Sequence, residues 1–217
     1  YVVLAGLEEG ERVVVHGAFR IDSSMQILAK PSMMSQAGEA MVLSGPGASV
    51  FRESLRPVYA SYFDLQVALA ADDLMAAKAA LSTLAAALDE PSASGLPLAH
   101  REVWSAESDA LQKTVQGLAR DAHIETVRSA FEPISVAMVR IATELGHDNA
   151  EAMRVAHCPM AFDNRGASWL QREEQIANPY FGASMLRCGE IQQTVPGVLN
   201  GPVQATPPES PANAAAP

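Results

Sequence analysis

Residues 124–145 read IETVRSAFEPISVAMVRIATEL, and this stretch decides the fold class that the sequence predicts. Its apolar residues recur at alternating intervals of three and four, the spacing of one face of an amphipathic helix. That face comprises Ile124, Val127, Phe131, Ile134, Met138, Ile141 and Leu145. Gly146 predicts the end of the helix, and Pro133 predicts a bend inside it. The stretch therefore predicts a long helix that buries one side.

Three upstream segments show the same spacing and predict three more helices. Their apolar faces comprise Leu55, Val58, Tyr62, Leu65 and Leu69; Leu74, Ala77, Leu81, Leu84 and Leu88; and, between about His100 and Ala119, Trp104, Leu111, Val115 and Leu118. Asp72 or Asp73 is the predicted N-cap of the second of these helices. Because short connections between helices favour antiparallel neighbours, we predict a mainly α fold. The predicted architecture is an antiparallel four-helix bundle with a Cys-containing C-terminal lobe.

The segments outside the bundle differ from it in composition. Residues 1–29 alternate strand formers with turn residues and predict a short β-strand remnant, the end of a β-domain. Residues 30–50 contain proline and glycine without periodicity and predict a linker. Residues 192–217 are rich in proline and alanine and predict a disordered tail. The bundle domain is therefore assigned to residues 51–191, and the opening at Tyr1 without an initiator methionine indicates a C-terminal fragment.

Composition and charge argue against nucleic-acid binding and against a membrane-spanning helix. The chain has 217 residues, of which 48% are hydrophobic, enough to bury one core. With 15 Lys and Arg against 25 Asp and Glu, the formal net charge is −10. The sequence has no basic cluster that could neutralise phosphates, so nucleic acid is not an expected partner. No apolar run approaches the roughly 18 residues of a transmembrane helix, so no membrane-spanning segment is expected in this part.

Both cysteines lie in one short region together with methionine and histidine, the side chains that soft metal ions prefer. Cys158 and Met160 are two residues apart, so in an extended segment their side chains share a face and His157 points away. Met185 and Cys188 are three apart, which places both sulfurs on one face if FGASMLRCG forms a turn of helix. We therefore predict that these four residues, with His157 as an entry or substitute ligand, bind Cu(I) or Ag(I).

The same residues allow other interpretations. Cysteine and methionine are often ordinary buried core residues. A Cys158–Cys188 disulfide would close a loop of about 30 residues and add on the order of 3 kcal/mol of stability. A thiol enzyme is disfavoured because His157 would point away from Cys158, and zinc because the sequence has no CxxC pair. The chain is therefore predicted to be non-enzymatic, with metal binding, a disulfide and core packing left open.

Two stretches of the sequence resemble known families. Residues 157–191, HCPMAFDNRGASWLQREEQIANPYFGASMLRCGEI, resemble the end of a helical domain of unassigned function, found alone or fused to the C-terminus of heavy-metal efflux adaptors. FEPIS at 131–135 and the first helices fit the same pattern, so this resemblance covers roughly residues 51–191. Residues 2–22, VVLAGLEEGERVVVHGAFRID, resemble the last strands of the membrane-proximal domain of a periplasmic adaptor of the resistance-nodulation-division copper/silver type.

These resemblances imply a cellular setting. They imply a periplasmic location, an inner-membrane resistance-nodulation-division pump and an outer-membrane channel as partners, and metal ions as cargo. They also carry over Cys158, Met160, Met185 and Cys188 as motif positions for metal. The expected function is an efflux adaptor whose appended helical domain binds or senses soft metal ions. The alternative is a helical interaction module with structural cysteines, and homo-oligomerisation is left open in both.

Overall fold

The computed structural model of the chain describes residue 43 and residues 46–118 and 122–198. The chain divides into two compact units, Tyr1–Met41 and Val42–Pro217, and all described residues belong to the second. The predicted strands of residues 1–29 and most of the predicted linker therefore lie outside the described residues. So do residues 199–217 of the predicted tail.

The described part of the chain is mainly helical, as predicted. Its longer helices are α1 (Pro46–Ser54), α2 (Arg56–Ala70), α3 (Leu74–Ala87), α4 (Leu98–Gly117) and α5 (Ile124–Glu144). Among the described helices, α2 packs most extensively against α3, and α4 against α5. An antiparallel four-helix bundle stays a prediction.

The ends of the helices follow local chemistry. Asp73 is the N-cap of α3, where its carboxylate accepts a hydrogen bond from Ala76 N at 2.9 Å. Pro133 lies inside α5, which continues through it to Glu144. The linker prediction for residues 30–50 is wrong at its end, because α1 already begins at Pro46. Proline is favoured in the first turn of a helix, and a nine-residue helix is too short to show a sustained apolar period.

A small antiparallel sheet follows the helices. Its strands are β1 (Met153–Cys158), β2 (Ala167–Gln171) and β3 (Glu190–Val195), in the order β2-β1-β3. The tail prediction for residues 192–217 is wrong at its start, because residues 192–195 belong to β3. Val198 N also donates to His147 O at 2.8 Å, which fastens the chain just after the strand. Backbone pairing with β1 orders a stretch whose side chains are largely exposed.

The helices and the sheet share one hydrophobic core. Tyr62 of α2 stacks on Phe131 of α5 at a ring distance of 5.4 Å, and both side chains are fully buried. The Tyr62 hydroxyl also accepts a hydrogen bond from Leu170 N of β2 at 3.0 Å. The stack joins α2 to α5, and the buried hydrogen bond fixes β2 against α2. None of the described helices combines the length and apolarity needed to cross a bilayer.

Candidate functional site

The two cysteines meet at one end of the sheet. Cys158 is the last residue of β1, and Cys188 comes two residues before β3. Since His157 pairs with Glu190 across the two strands, the register brings the cysteines side by side, and their Sγ atoms are 3.0 Å apart. Cys158 is fully buried and Cys188 is half-buried, both as free thiols. Strand pairing thus brings together two cysteines that are 30 residues apart in the sequence.

Gly189 allows the segment that carries Cys188 to approach β1 closely. Its φ of +133° lies in the region that favours glycine. A Cβ at this position would lie 2.8 Å from His157 O and 3.0 Å from the Trp169 ring. Glycine is therefore required at position 189 by the close passage of this segment over β1 and Trp169.

His157 does not join the thiols. Successive strand side chains point to opposite faces, so His157 faces away from the neighbouring Cys158. Its Nδ1 lies 3.0 Å from Ser168 Oγ, directly across on β2. Its ring lies over Gly166, where a Cβ would be 2.8 Å from Cε1. The predicted role of His157 as an entry or substitute ligand therefore has no geometric support.

Met160 lies in a turn rather than in a strand. The prediction that Cys158 and Met160 share a face is wrong, because β1 ends at Cys158 and Pro159 and Met160 form a turn. Met160 has helical dihedrals (φ −88°, ψ −12°), and its side chain is 46% exposed. The turn ends the alternation of side chains on which the prediction rested.

Met185 also lacks the predicted helical geometry. The 3₁₀ turn Gly182–Ser184 ends before it, and its own dihedrals are non-helical (φ −147°, ψ 48°). Cys188 N donates to Met185 O at 3.0 Å, so residues 185–188 form a separate turn. Of the five predicted ligands, the pair that the structure brings into contact is Cys158 and Cys188. Within the described ranges, no three His, Cys, Asp or Glu side chains gather in a group that could hold a metal ion.

The contact with Cys158 changes the acidity of the Cys188 thiol. The hydrogen bond with the Cys158 sulfur, then desolvation, then the proximity of the Cys158 charge raise the pKa of Cys188 to about 11. A raised pKa means that Cys188 holds its proton at neutral pH. Metal binding and oxidation both use the thiolate, so each must first remove this proton.

Two buried amides organise the loops around the thiols. The first, Gln171 at the end of β2, accepts from Trp169 Nε1 at 3.0 Å and donates to the carbonyls of Glu173 (2.6 Å) and Gln175 (3.0 Å). Its side chain is 1% exposed. This amide fixes residues 172–177, which we call the acidic loop.

The second amide is Asn178, which is fully buried at the start of residues 178–188, the cysteine loop. Its Oδ1 accepts from Tyr180 N at 2.8 Å and from Phe181 N at 3.3 Å. Its Nδ2 donates to Cys188 O at 2.8 Å. One side chain therefore joins the two ends of the loop that carries Cys188.

An ion pair fastens the cysteine loop to the helices from outside. Arg128 of α5 donates to Asp72 and, at 3.0 Å, to the carbonyls of Leu69 and Pro179. Asp72 in turn accepts from Ala183 N at 2.9 Å, and this hydrogen bond, followed by that from Arg128, lowers the Asp72 pKa. Gly182 (φ +56°) packs against both charged side chains and leaves no space for a Cβ. This contact explains the glycine at the end of residues 178–182, NPYFG.

Sequence reasoning missed Gln171, Asn178, Asp72 and Arg128 as determinants of the site. Residues 178–182, NPYFG, have the composition of a turn, but a polar residue in a turn gives no sign that it is buried. Only the register of β1 and β3, and the packing of α2 and α5 against the loop, assign these roles.

One family comparison matches this chain. A family described as "Protein of unknown function (DUF3347)" matches residues 58–150, less than half of the chain. The match spans most of α2, all of α3 to α5 and the turn after α5, and it ends before β1 and both cysteines. No curated protein and no solved structure matches the chain.

Proposed function

We propose that this chain belongs to the periplasmic adaptor of a copper/silver efflux system and that its helical domain binds or senses Cu(I) or Ag(I). The observation that carries the proposal is the contact between Cys158 and Cys188, whose Sγ atoms are 3.0 Å apart. Two thiols held together suit a soft ion of low coordination number. In this proposal α2 to α5 form an antiparallel four-helix bundle that supports the sheet.

The partners in this proposal come from the resemblance of the sequence. They are an inner-membrane resistance-nodulation-division pump and an outer-membrane channel, in the periplasm, with the metal ion as cargo or signal. The chain has no enzymatic role in this proposal. Self-association would be compatible with it.

Binding would require a small opening of the thiol pair. Two thiolates at about 2.3 Å from a tetrahedral zinc ion lie roughly 3.8 Å apart, and a linear two-sulfur site is wider still. The sulfurs at 3.0 Å must therefore separate to admit an ion. Cys158 is fixed in a strand, so the movement falls to Cys188 and its loop. Met160 and Met185, in the adjoining turns, would supply thioethers only after rearrangement.

The test is a titration of the reduced 217-residue chain with Cu(I) under anaerobic conditions and a competing chelator. We expect one equivalent to bind, with affinity that rises with pH because the thiols must lose protons. Cys158→Ser or Cys188→Ser should abolish this binding, and Met160→Leu or Met185→Leu should weaken it far less. Met75→Leu is the matched control, since Met75 is 79% exposed on α3. Absence of stoichiometric uptake by the reduced, folded chain contradicts the proposal.

A structural disulfide in an interaction module is the second candidate function. The observation that favours it is the same 3.0 Å spacing, since a disulfide needs the sulfurs to approach to about 2.05 Å while an ion needs them to separate. Oxidation would join both Sγ atoms and pass two electrons and two protons to an oxidant such as oxidised glutathione. This candidate predicts no free thiols in the isolated protein and a melting temperature that falls on reduction and is not restored by Cu(I).

A further inference from the structure

The orientation of the Asn178 amide is determined by its neighbours. Two backbone N–H groups, of Tyr180 and Phe181, approach one end of the amide, so that end must be the oxygen. The carbonyl of Cys188 approaches the other end, so that end must be the NH₂ group. The side chain is fully buried, and water is therefore not available to replace either set of bonds.

We propose that Asn178 is the positioning residue of the thiol pair: its NH₂ group holds Cys188 against Cys158. The proposal rests on the dithiol site of the proposed function but does not depend on metal binding. The bond from Nδ2 to Cys188 O acts on the backbone of the cysteine itself, whereas the bonds to Oδ1 act on the opposite end of the loop. Losing the first bond should leave the turn at 178–181 intact and release Cys188.

The approach of the two sulfurs can be measured as a thiol–disulfide equilibrium. In the exchange with oxidised glutathione, the glutathione S–S bond breaks, a Cys158–Cys188 bond forms and two molecules of glutathione thiol are released. The protein is oxidised and glutathione is reduced. The equilibrium constant of this reaction contains the effective concentration of one protein thiol at the other, which a well-oriented pair raises. A merely structural residue alters the stability of the fold without altering this constant.

Asn178→Asp is the sharpest variant. It keeps an oxygen that accepts from Tyr180 N and Phe181 N, and it replaces the NH₂ donor with an oxygen that faces Cys188 O. Asn178→Ser is the milder variant, since its hydroxyl is too short to reach Cys188. Gln66→Met is the matched control, because the buried Gln66 side chain donates its hydrogen bond to Ala177 O at 2.7 Å, next to Asn178, and not to Cys188.

The experiment equilibrates the full 217-residue chain in glutathione buffers, with folding of each form verified by circular dichroism. We expect both Asn178 variants to lower the equilibrium constant for disulfide formation by about tenfold, and Gln66→Met to change it by less than about twofold. Values within about twofold of wild type for both Asn178 variants would overturn the proposal, and so would an equal fall in the control. Failure of both variants to fold when reduced would make Asn178 a folding determinant and would also overturn it. Since no metal is present, failure of Cu(I) binding leaves this result unaffected.

Discussion

The helices (residues 46–144) and the sheet with its loops (residues 153–198) are stabilised in different ways. In the helices, apolar residues at helical spacing bury side chains against several neighbours, and each contact is one of many. In the sheet, single buried amides hold whole loops, as Gln171 holds the acidic loop. Packing contacts can readjust, whereas a buried hydrogen bond is either made or lost. We therefore expect the region that carries the candidate chemistry to be the less tolerant of substitution.

The largest effect should come from removing a central aromatic ring from the helical region. Phe131→Ala deletes a fully buried side chain that stacks on Tyr62, and we expect it to cost about 3–5 kcal/mol in the free energy of unfolding. Val136→Ala in the same helix, where the side chain is 60% exposed, should cost less than about 0.5 kcal/mol. Urea denaturation of both variants provides the measurement. A loss below about 1 kcal/mol for Phe131→Ala would remove this residue from the centre of the core.

Two substitutions that largely conserve side-chain volume compare how well the helical region and the sheet region tolerate change. Gln171→Leu leaves the indole N–H of Trp169 and two loop carbonyls without their side-chain partner, and we expect it to cost about 2–4 kcal/mol. Met138→Leu in the fully buried part of α5 should cost less than about 1.5 kcal/mol. Denaturation curves recorded under one set of conditions give both values. Equal losses would mean that the two regions tolerate change alike.

A smaller effect should appear in mild acid, through the buried His147. Its Nε2 lies 3.0 Å from Val195 O, and desolvation lowers its pKa despite this hydrogen bond and the nearby Asp148; the charge of Arg52 also lowers it. The unfolded chain therefore takes up this proton at a higher pH than the folded chain, near the ordinary value of about 6.5. The stability due to neutral His147 is complete above that pH and is lost as the pH falls below it.

Thermal unfolding between pH 7.5 and 5.5 measures this dependence. We expect His147→Gln, whose amide can donate to Val195 O without titrating, to show a flatter decline in melting temperature than wild type. The remaining slope in the variant reports the other titrating groups. Superimposable pH profiles for the two proteins would remove His147 from the acid response.

The sequence predicted the helical region well because its signal is local. Every residue of the α5 stripe from Val127 to Leu145 is buried, and the spacing alone identifies this face. The short strands β1 and β2 carry no comparable signal, because five or six residues with mixed burial show no clean alternation. The contact of Cys158 with Cys188 depends on which strand pairs with β1 and in which register, and neither is a local property of the chain.

The predicted metal ligands also show that local sequence spacing does not predict contacts that depend on the fold. The spacing of Cys158 and Met160 indicates a shared face only if the chain stays extended, and the turn at Pro159 and Met160 ends the strand. His157 was correctly expected to point away from Cys158, since that follows from strand geometry alone. Asn178 has the sequence context of a solvated turn residue, and its burial comes from the packing of elements distant in sequence.

The unequal exposure of the two thiols predicts the order in which they would react with a reagent from solvent. A reagent arriving from solvent meets the half-buried Cys188 before it can reach Cys158, which has no exposed surface. An incoming metal carrier or small disulfide would thus form its first bond with Cys188, and Cys158 would complete the exchange from inside the protein. In such an exchange, once Cys188 has lost its proton, it would be the receiving thiol and Cys158 the resolving thiol, so a chain lacking Cys158 would retain the first adduct, whereas a chain lacking Cys188 would form none.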